Sequence, residues 1–231
     1  MDALDSLPDG MMPLPRDSPL SNIYYRIVEA QIHDLVELNR SMERLLDDEV
    51  KRLNNYLEEI TKNFDADRRA ETYEHFADTH YKYSDMFPTM IRSSLLVSCY
   101  GFLETNLLRL CDWLQSERSL EVNAKGQYGR GIFQAKTYFL KVLKLPFPVQ
   151  APCWQEVVET NRIRNAIAHA DGFVHPANTK LDADIKANSH YLSKDNANHL
   201  VIAGGYISHF LQTVQQLFHE LEAITTNTGV H

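Results

Sequence analysis

The sequence predicts an all-α fold, and two observations support that class. Gly and Pro are scarce, with 9 of each among 231 residues, and most of the chain therefore lacks the turn residues that many short strands require. Apolar side chains recur at three- and four-residue intervals, which is the spacing of one helix face. Hydrophobic residues make up 44% and charged residues 23% of the chain, as in ordinary globular proteins.

The chain is predicted to begin with a flexible arm and a long helix. Spaced prolines and Gly10 disfavour helix in residues 1–20. Ser21 or Asn22 can cap a helix that continues to about Phe64. Its apolar residues form two stripes, so the helix must bend or change partner, and part of it is expected to pack against another chain or a long partner helix. The first stripe is Leu35, Leu38, Met42 and Leu45, and the second is Leu46, Val50, Leu53, Leu57, Ile60 and Phe64.

Two further helices are predicted in the middle of the chain. Residues 65–67 are expected to break the first helix, and a second helix follows from about Arg68 to Asp85. Pro88 opens a third helix that runs to about Arg118, followed by a glycine-containing loop over 119–131. The third helix is expected to bury the face formed by Ile91, Leu95, Ser98, Phe102, Leu107, Leu110 and Leu114.

The fourth and fifth helices are separated by a proline-containing connector. The fourth is predicted over about 132–145, and residues 146–152 form a rigid link. The fifth starts near Pro152, a favourable first-turn residue. It is expected to end before Gly172, which suits a left-handed cap.

The C-terminal part is predicted to be irregular over 173–204, apart from two short strands around Tyr191 and over 200–202. A last helix covers about 205–224. The whole chain then divides into three predicted segments. They are the Pro-rich arm at 1–20, the long helix with the second helix at 21–87, and a helical domain at 88–231.

The cysteines favour a reducing compartment, and the apolar runs are too short for a membrane span. The three cysteines, Cys99, Cys111 and Cys153, are odd in number and match no zinc signature. The N-terminus has no signal-peptide core, and no run approaches the roughly 18 apolar residues that span a bilayer. The sequence therefore predicts a cytoplasmic protein without membrane association, and it suggests neither a metal nor a cofactor.

The charge distribution is uneven, although the net charge is −8. Residues 125–164 contain seven basic and two acidic residues, so this window carries +5 and the remainder of the chain −13. Such a window is either a local anion site or a solvated face. It supplies the candidate RNA-binding residues, which are Arg130, Lys136, Lys141, Lys144 and Arg162.

One group of residues could carry out chemistry. Arg164, Asn165 and His169 lie near the C-terminal end of the fifth helix, where the negative helix end favours a protonated imidazole. The guanidinium is a permanent cation whose donors match phosphate oxygens. The Arg-x4-His spacing by itself is at chance level, because less than one match is expected among this number of Arg and His residues.

The segment RNAIAHADG resembles the signature of the HEPN superfamily (higher eukaryotes and prokaryotes nucleotide-binding), which is Arg, a polar residue that is often Asn, three variable residues and His. Residues 92–114 resemble the helix that precedes this motif, and 207–223 resemble the closing helix, so the likeness covers roughly 88–224. The resemblance implies an antiparallel helical bundle with a long N-terminal helix and at most a short β-hairpin before the last helix.

The resemblance also implies an activity, which is metal-independent cleavage of RNA by a homodimer that combines two motif copies. Arg164 would hold the scissile phosphate, His169 would act as general acid or base or orient the 2′-hydroxyl, and Asn165 would position either group. Single-stranded RNA or tRNA is the implied substrate of a toxin or antiphage effector, which would leave a 2′,3′-cyclic phosphate. An antitoxin or defence-system protein is the implied partner.

One position departs from the pattern of HEPN toxins that are paired with nucleotidyltransferase antitoxins. Those toxins carry Tyr two residues after the His, whereas this chain has Asp171. Two alternatives to a nuclease stay open. One is a non-catalytic helical adaptor that binds partners through the long first helix and the arm, and the other is a nucleotide-sensing regulator that binds without cleaving.

Overall fold

A computed structural model describes residues 22–122 and 129–227, and its regular structure is almost entirely helical, which confirms the predicted all-α class. The helices are α1 (Asn22–Thr61), α2 (Ala66–His75), α3 (Ala77–Tyr81), α4 (Phe87–Glu117), α5 (Ile132–Tyr138), α6 (Pro152–Ala170), α7 (Thr179–Ala187) and α8 (Gly205–Asn227). Two short strands, β1 (Leu192–Lys194) and β2 (Leu200–Ile202), precede α8.

Helix α1 is a single 40-residue helix, as the apolar periodicity predicts. Its second stripe supplies buried side chains at Leu46 and Leu57. Its first stripe is only partly covered, since Leu38 and Leu45 are 45% and 59% exposed. The predicted cap at Ser21 or Asn22 falls outside the residues whose side chains the structure describes. Because Leu38 and Leu45 are exposed, the first stripe leaves apolar surface on α1.

The predicted second helix is interrupted, which corrects the expectation of one helix from Arg68 to Asp85. Asp65 caps α2 by accepting a hydrogen bond from the Arg68 N–H at 2.9 Å, and α2 ends at Phe76, whose φ and ψ are −94° and 1°. The Phe76 ring packs edge-on against Tyr56 of α1, with centroids 5.9 Å apart. This contact fixes the ring where the helix breaks, and α3 continues as a π-helical turn over Lys82–Met86.

Helix α4 has the predicted extent, but it buries a different face in its first half. Ser98 is exposed and donates its hydroxyl hydrogen to the carbonyl of Ser94. The side chains that are buried there include Leu96, Cys99 and Tyr100 instead. Apolar residues occur nearly all round this helix, so periodicity alone could not select the buried side.

The fourth predicted helix and the connector are both observed. Helix α5 continues as a π-helical turn over Phe139–Leu143 and ends at Lys144, which adopts the left-handed conformation with φ 54°. Pro152 then begins α6 at the predicted first-turn position. The described part of the preceding loop, residues 119–122 and 129–131, is not helical, as expected.

Helix α7 was not predicted, because residues 173–204 were expected to contain no helix. The Asn178 side chain caps α7 by accepting from the Leu181 N–H at 3.3 Å. Only Leu181 and Ile185 are buried apolar side chains in this helix, so one pair at i and i+4 was too little periodicity to indicate it. The predicted hairpin is confirmed, with β1 antiparallel to β2 and Leu192 opposite Ile202.

The described residues group into two compact units, which do not coincide with the three predicted segments. The first unit contains residues 22–31, 103–122, 129–149 and 215–227. The second unit contains Ile32–Phe102 and Gln150–Val214. Consequently α1, α4 and α8 each contribute residues to both units.

The first unit buries tyrosines that are fully hydrogen-bonded. Tyr24 is 5% exposed, and its hydroxyl donates to the carbonyl oxygen of Asn106 at 2.6 Å. The Tyr25 hydroxyl shares a hydrogen bond with the Thr225 hydroxyl at 2.8 Å. Burial raises the pKa of both phenols, so they stay neutral hydrogen-bonding groups in this core.

The second unit ties α1 to α4 and to the hairpin through one arginine. Arg92 donates from Nε and Nη2 to the two carboxylate oxygens of Glu43, at 2.9 Å and 2.7 Å. Its Nη1 donates to the carbonyl oxygen of Ile202 at 3.3 Å.

None of the helices within residues 22–122 and 129–227 has both the length and the apolar character needed to cross a membrane.

Candidate active site

The candidate site lies on α6, which is anchored by its buried face. Trp154, Val157 and Ile163 are at most 3% exposed. The Thr160 hydroxyl, which is fully buried, shares a hydrogen bond with the Tyr206 hydroxyl of α8 at 3.1 Å. These contacts fix the rotation of α6 and determine which of its residues reach the surface.

A second polar contact holds the first half of α6 against α8. The Thr213 hydroxyl donates to one carboxylate oxygen of Glu156 at 2.6 Å, and the His209 imidazole contacts the other. Tyr191 stacks on His209 with ring centroids 4.9 Å apart. His209 therefore packs between the Tyr191 ring and the Glu156 carboxylate.

Arg164 and Asn165 form a connected pair on the half-exposed side of α6. The Arg164 Nη1 donates to the Asn165 side-chain oxygen at 2.9 Å. The Asn165 amide nitrogen in turn donates to the side-chain oxygen of Asn161 at 3.4 Å. The Asn165 amide therefore restrains the Arg164 guanidinium, and its role in positioning a reacting group stays a prediction.

Arg164 also lies over an aromatic ring. Its guanidinium carbon is 4.7 Å from the ring centroid of Tyr100, and the Tyr100 ring stacks on Phe210 with centroids 6.1 Å apart. Tyr100 is 1% exposed, so the ring is a fixed surface for the guanidinium. Cation–π contacts of this kind are worth about 0.5–2 kcal/mol.

His169 stands at the other end of the motif, in the last turn of α6. Its side chain is exposed. The helix ends two residues later, where Asp171 and Gly172 both have positive φ, 51° and 75°, and the Gly172 N–H donates to the carbonyl of Ala166 at 3.0 Å. The predicted helix end is thus confirmed, with Asp171 rather than Gly172 taking the first left-handed position.

The chain that follows His169 is joined to the hairpin. Leu200 donates its N–H to the Gly172 carbonyl at 2.9 Å, and Val174 donates to the Asn198 carbonyl at 2.8 Å. Phe173 and His199 form an isolated antiparallel bridge between these two bonds. The end of the motif helix is therefore held by backbone pairing.

Arg162 has a partner within the chain. Its Nε and Nη2 donate to the two carboxylate oxygens of Asp184 on α7, at 2.5 Å and 2.7 Å. Asp184 is 7% exposed, and its hydrogen bonds raise the pKa of the Arg162 guanidinium. Arg162 therefore joins α6 to α7, and its role in RNA binding stays a prediction.

The remaining candidate RNA-binding residues belong to the first unit, whereas the motif belongs to the second. Arg130, Lys141 and Lys144 are exposed, and Lys136 is half-buried with its ammonium nitrogen 5.9 Å from the Phe133 ring centroid. Their contact with RNA also stays a prediction.

Two partners of the predicted site were not foreseen. Tyr100 lies 64 positions before Arg164 and Asp184 lies 22 positions after Arg162, in helices that the motif does not include. No local pattern distinguishes either residue from its neighbours. The only signal in the sequence was Arg162 itself, a basic residue next to the motif that could need an acidic partner.

The described part of the chain contains no group of three or more His, Cys, Asp or Glu side chains that could hold a metal ion. Comparisons of the chain with protein-family profiles, with curated proteins and with solved structures find no match.

Proposed function

We propose that this protein is a metal-independent endoribonuclease that acts as a homodimer, with Arg164, Asn165 and His169 of both protomers forming the active site. The observation that carries the proposal is the arrangement on α6, in which Asn165 and Tyr100 restrain the Arg164 guanidinium while His169 stays exposed at the helix end. A fixed cation and an accessible imidazole are suited to phosphodiester cleavage.

The reaction would be an intramolecular transesterification at the scissile phosphate. The ribose 2′-oxygen forms a bond to the phosphorus, the bond to the 5′-oxygen breaks, and the products carry a 2′,3′-cyclic phosphate and a 5′-hydroxyl. A base takes the proton from the 2′-hydroxyl, and an acid supplies a proton to the departing 5′-oxygen. His169 would serve in one of these roles, and Arg164 would stabilise the negative charge on the phosphate oxygens.

The geometry of one helix supports a dimer. His169 follows Arg164 by five positions, which places them about 140° apart around the axis and about 7.5 Å apart along it. One copy therefore offers the two groups on different sides of α6. Two copies facing each other bring an arginine of one and a histidine of the other to the same phosphate.

The test is a cleavage assay with purified full-length protein, single-stranded RNA and tRNA in the presence of EDTA. The wild type should cut and release fragments with a 5′-hydroxyl. A single 2′-deoxy substitution at the cleavage site should block cutting there, because the nucleophile is removed. Arg164→Ala and His169→Ala should each lower the cleavage rate by about 10²–10⁴-fold.

Matched variants separate loss of chemistry from loss of charge. Arg26→Ala and His219→Ala each remove an exposed residue of the same type elsewhere and should leave cleavage unchanged. Mixing the Arg164→Ala and His169→Ala proteins should restore part of the activity if a site takes its two groups from different protomers. An Arg164→Ala/His169→Ala double variant that cuts like the wild type would refute the assignment.

One observation favours a second candidate function, that of an adaptor which binds a partner through α1. Leu38 and Leu45 lie seven residues apart on one side of this helix and are 45% and 59% exposed. Substituting both with Glu should abolish partner binding in cells under this hypothesis, while the Arg164 and His169 variants retain full function. The opposite result supports the nuclease.

A further inference from the structure

An aromatic cluster follows the proposed catalytic histidine closely in the chain. Phe173 follows His169 by four residues, and its side chain is 38% exposed. Two imidazoles meet its ring at steep angles. The His199 ring centroid is 5.7 Å away at 65°, and the His175 ring centroid is 6.4 Å away at 81°. The three rings form an edge-to-face aromatic cluster, the Phe173 platform.

The backbone holds this platform in place. The Phe173 N–H donates to the carbonyl of Ala170 at 2.8 Å, which ties the residue to the last turn of α6. Across the bridge, His199 is held by the turn before β2, where its N–H donates to the Asp195 carboxylate at 2.7 Å. Since both sides are fixed, the ring stays exposed without a conformational change.

The imidazoles are restrained as well. The Ala177 N–H donates to the His175 Nδ1 at 3.1 Å. The His199 Nδ1 lies 3.7 Å from the second carboxylate oxygen of Asp195. Asp195 thus contacts residues of its own turn. The Phe173 platform presents an aromatic ring that is flanked by the polar edges of two imidazoles.

We propose that the Phe173 platform stacks a nucleobase of single-stranded RNA, next to the phosphate that the motif cleaves. This inference rests on the proposed ribonuclease function and adds a site for the base. Aromatic side chains that stack unpaired bases are the usual way in which proteins bind single-stranded RNA. A single exposed ring flanked by two imidazoles is smaller than the apolar core of a protein interface, but it matches the size of one base.

The position of the platform determines what it would do. The Phe173 N–H is hydrogen-bonded to the carbonyl of Ala170, the residue immediately after His169, so a stacked base would belong to a nucleotide close to the cleaved bond. Stacking would hold that nucleotide out of a helical stack and would favour cleavage in loops and single strands. It would tolerate any base, because every base has a π-face.

The experiment measures affinity with an RNA that cannot be cut. Full-length protein is titrated into a fluorescent single-stranded RNA that carries 2′-deoxy nucleotides at the cleavage positions. Phe173→Ala should weaken binding about 5- to 150-fold, which is the range for losing one stacked base. Phe173→Leu should also weaken binding, because it keeps an apolar side chain but removes the ring on which the base stacks. Both variants are first checked for a wild-type circular dichroism spectrum and urea midpoint.

A second RNA isolates stacking from other effects. When the nucleotide beside the cleavage position lacks its base, the wild type should bind as weakly as Phe173→Ala, and the substitution should cause no further loss. Tyr73→Ala is the matched control, because this ring is 40% exposed on α2, away from the motif in sequence. It should bind both RNAs like the wild type.

The outcomes distinguish the platform from the nuclease assignment. If the wild type cuts RNA and Phe173→Ala binds as tightly as the wild type, or loses the same affinity for both RNAs, the platform is refuted and the ribonuclease stands. If the wild type neither binds nor cuts RNA, both proposals are refuted.

Discussion

Removing the carboxylate of Asp184 should destabilise the second unit by about 2 kcal/mol. Asp184 is 7% exposed and receives two hydrogen bonds from Arg162, the longer at 2.7 Å. A hydrogen bond to a charged group contributes about 1.5–3 kcal/mol. Since the Arg162 side chain is 34% exposed, solvent screens part of the gain, which brings the expected loss for Asp184→Asn to the lower half of that range.

The assay is urea unfolding followed by the fluorescence of the two tryptophans, one of which, Trp154, is 3% exposed on α6. Asp184→Asn should lower the midpoint without changing the slope. Arg162→Gln should lower it similarly, and the double variant should lose less than the sum of the two, since each single variant already breaks the same pair. Asp34→Asn on α1 is the matched control and should have a smaller effect, because Asp34 is exposed.

The same variants test the structural role of Arg162 against its predicted role in RNA binding. If Arg162 mainly joins α6 to α7, Arg162→Gln retains most RNA cleavage at a temperature where it is folded, unlike Arg164→Ala. A loss below about 0.5 kcal/mol for Asp184→Asn, or additive losses in the double variant, would refute the reasoning about the pair.

Two other predictions concern buried groups. Tyr24→Phe should cost about 1–2 kcal/mol in the free energy of unfolding, because the carbonyl of Asn106 loses the phenolic donor that it has at 2.6 Å; an unchanged urea midpoint would contradict this. Cys99, Cys111 and Cys153 are all buried, and burial raises the pKa of Cys99 to about 11 and that of Cys111 further. A thiol reagent at pH 8 should therefore label none of them in the folded protein and all three in urea, and rapid labelling without urea would contradict the burial.

The sequence predicted the elements that have strong local signals. Pro152 and Gly172 bracket α6, and the polar segment 193–198 between two short apolar stretches indicates the hairpin. Helix α7 was missed because one buried pair, Leu181 and Ile185, does not establish a period. The break at Phe76 was missed because no Gly or Pro marks it in residues 71–80.

The candidate site was predictable in its residues and not in their surroundings. Arg164, Asn165 and His169 are contiguous enough to be read as one motif, and their helix was identified from its caps. The ring beneath Arg164 and the carboxylate beside Arg162 come from other helices, and such pairings are set by tertiary packing. The exposure of Phe173 likewise follows from its bridge to His199, which no local pattern encodes.

The bridge between Phe173 and His199 also has a consequence for the order in which the protein forms during synthesis. A ribosome completes the Arg164–His169 segment about 30 residues before it adds His199 and Leu200. Until then, the Gly172 carbonyl and the Val174 N–H lack their partners across the bridge, and the end of α6 is free to fray. The segment 164–169 is thus synthesised before the backbone pairing that holds the end of its helix can form, and that end becomes fixed only after Leu200 has been added.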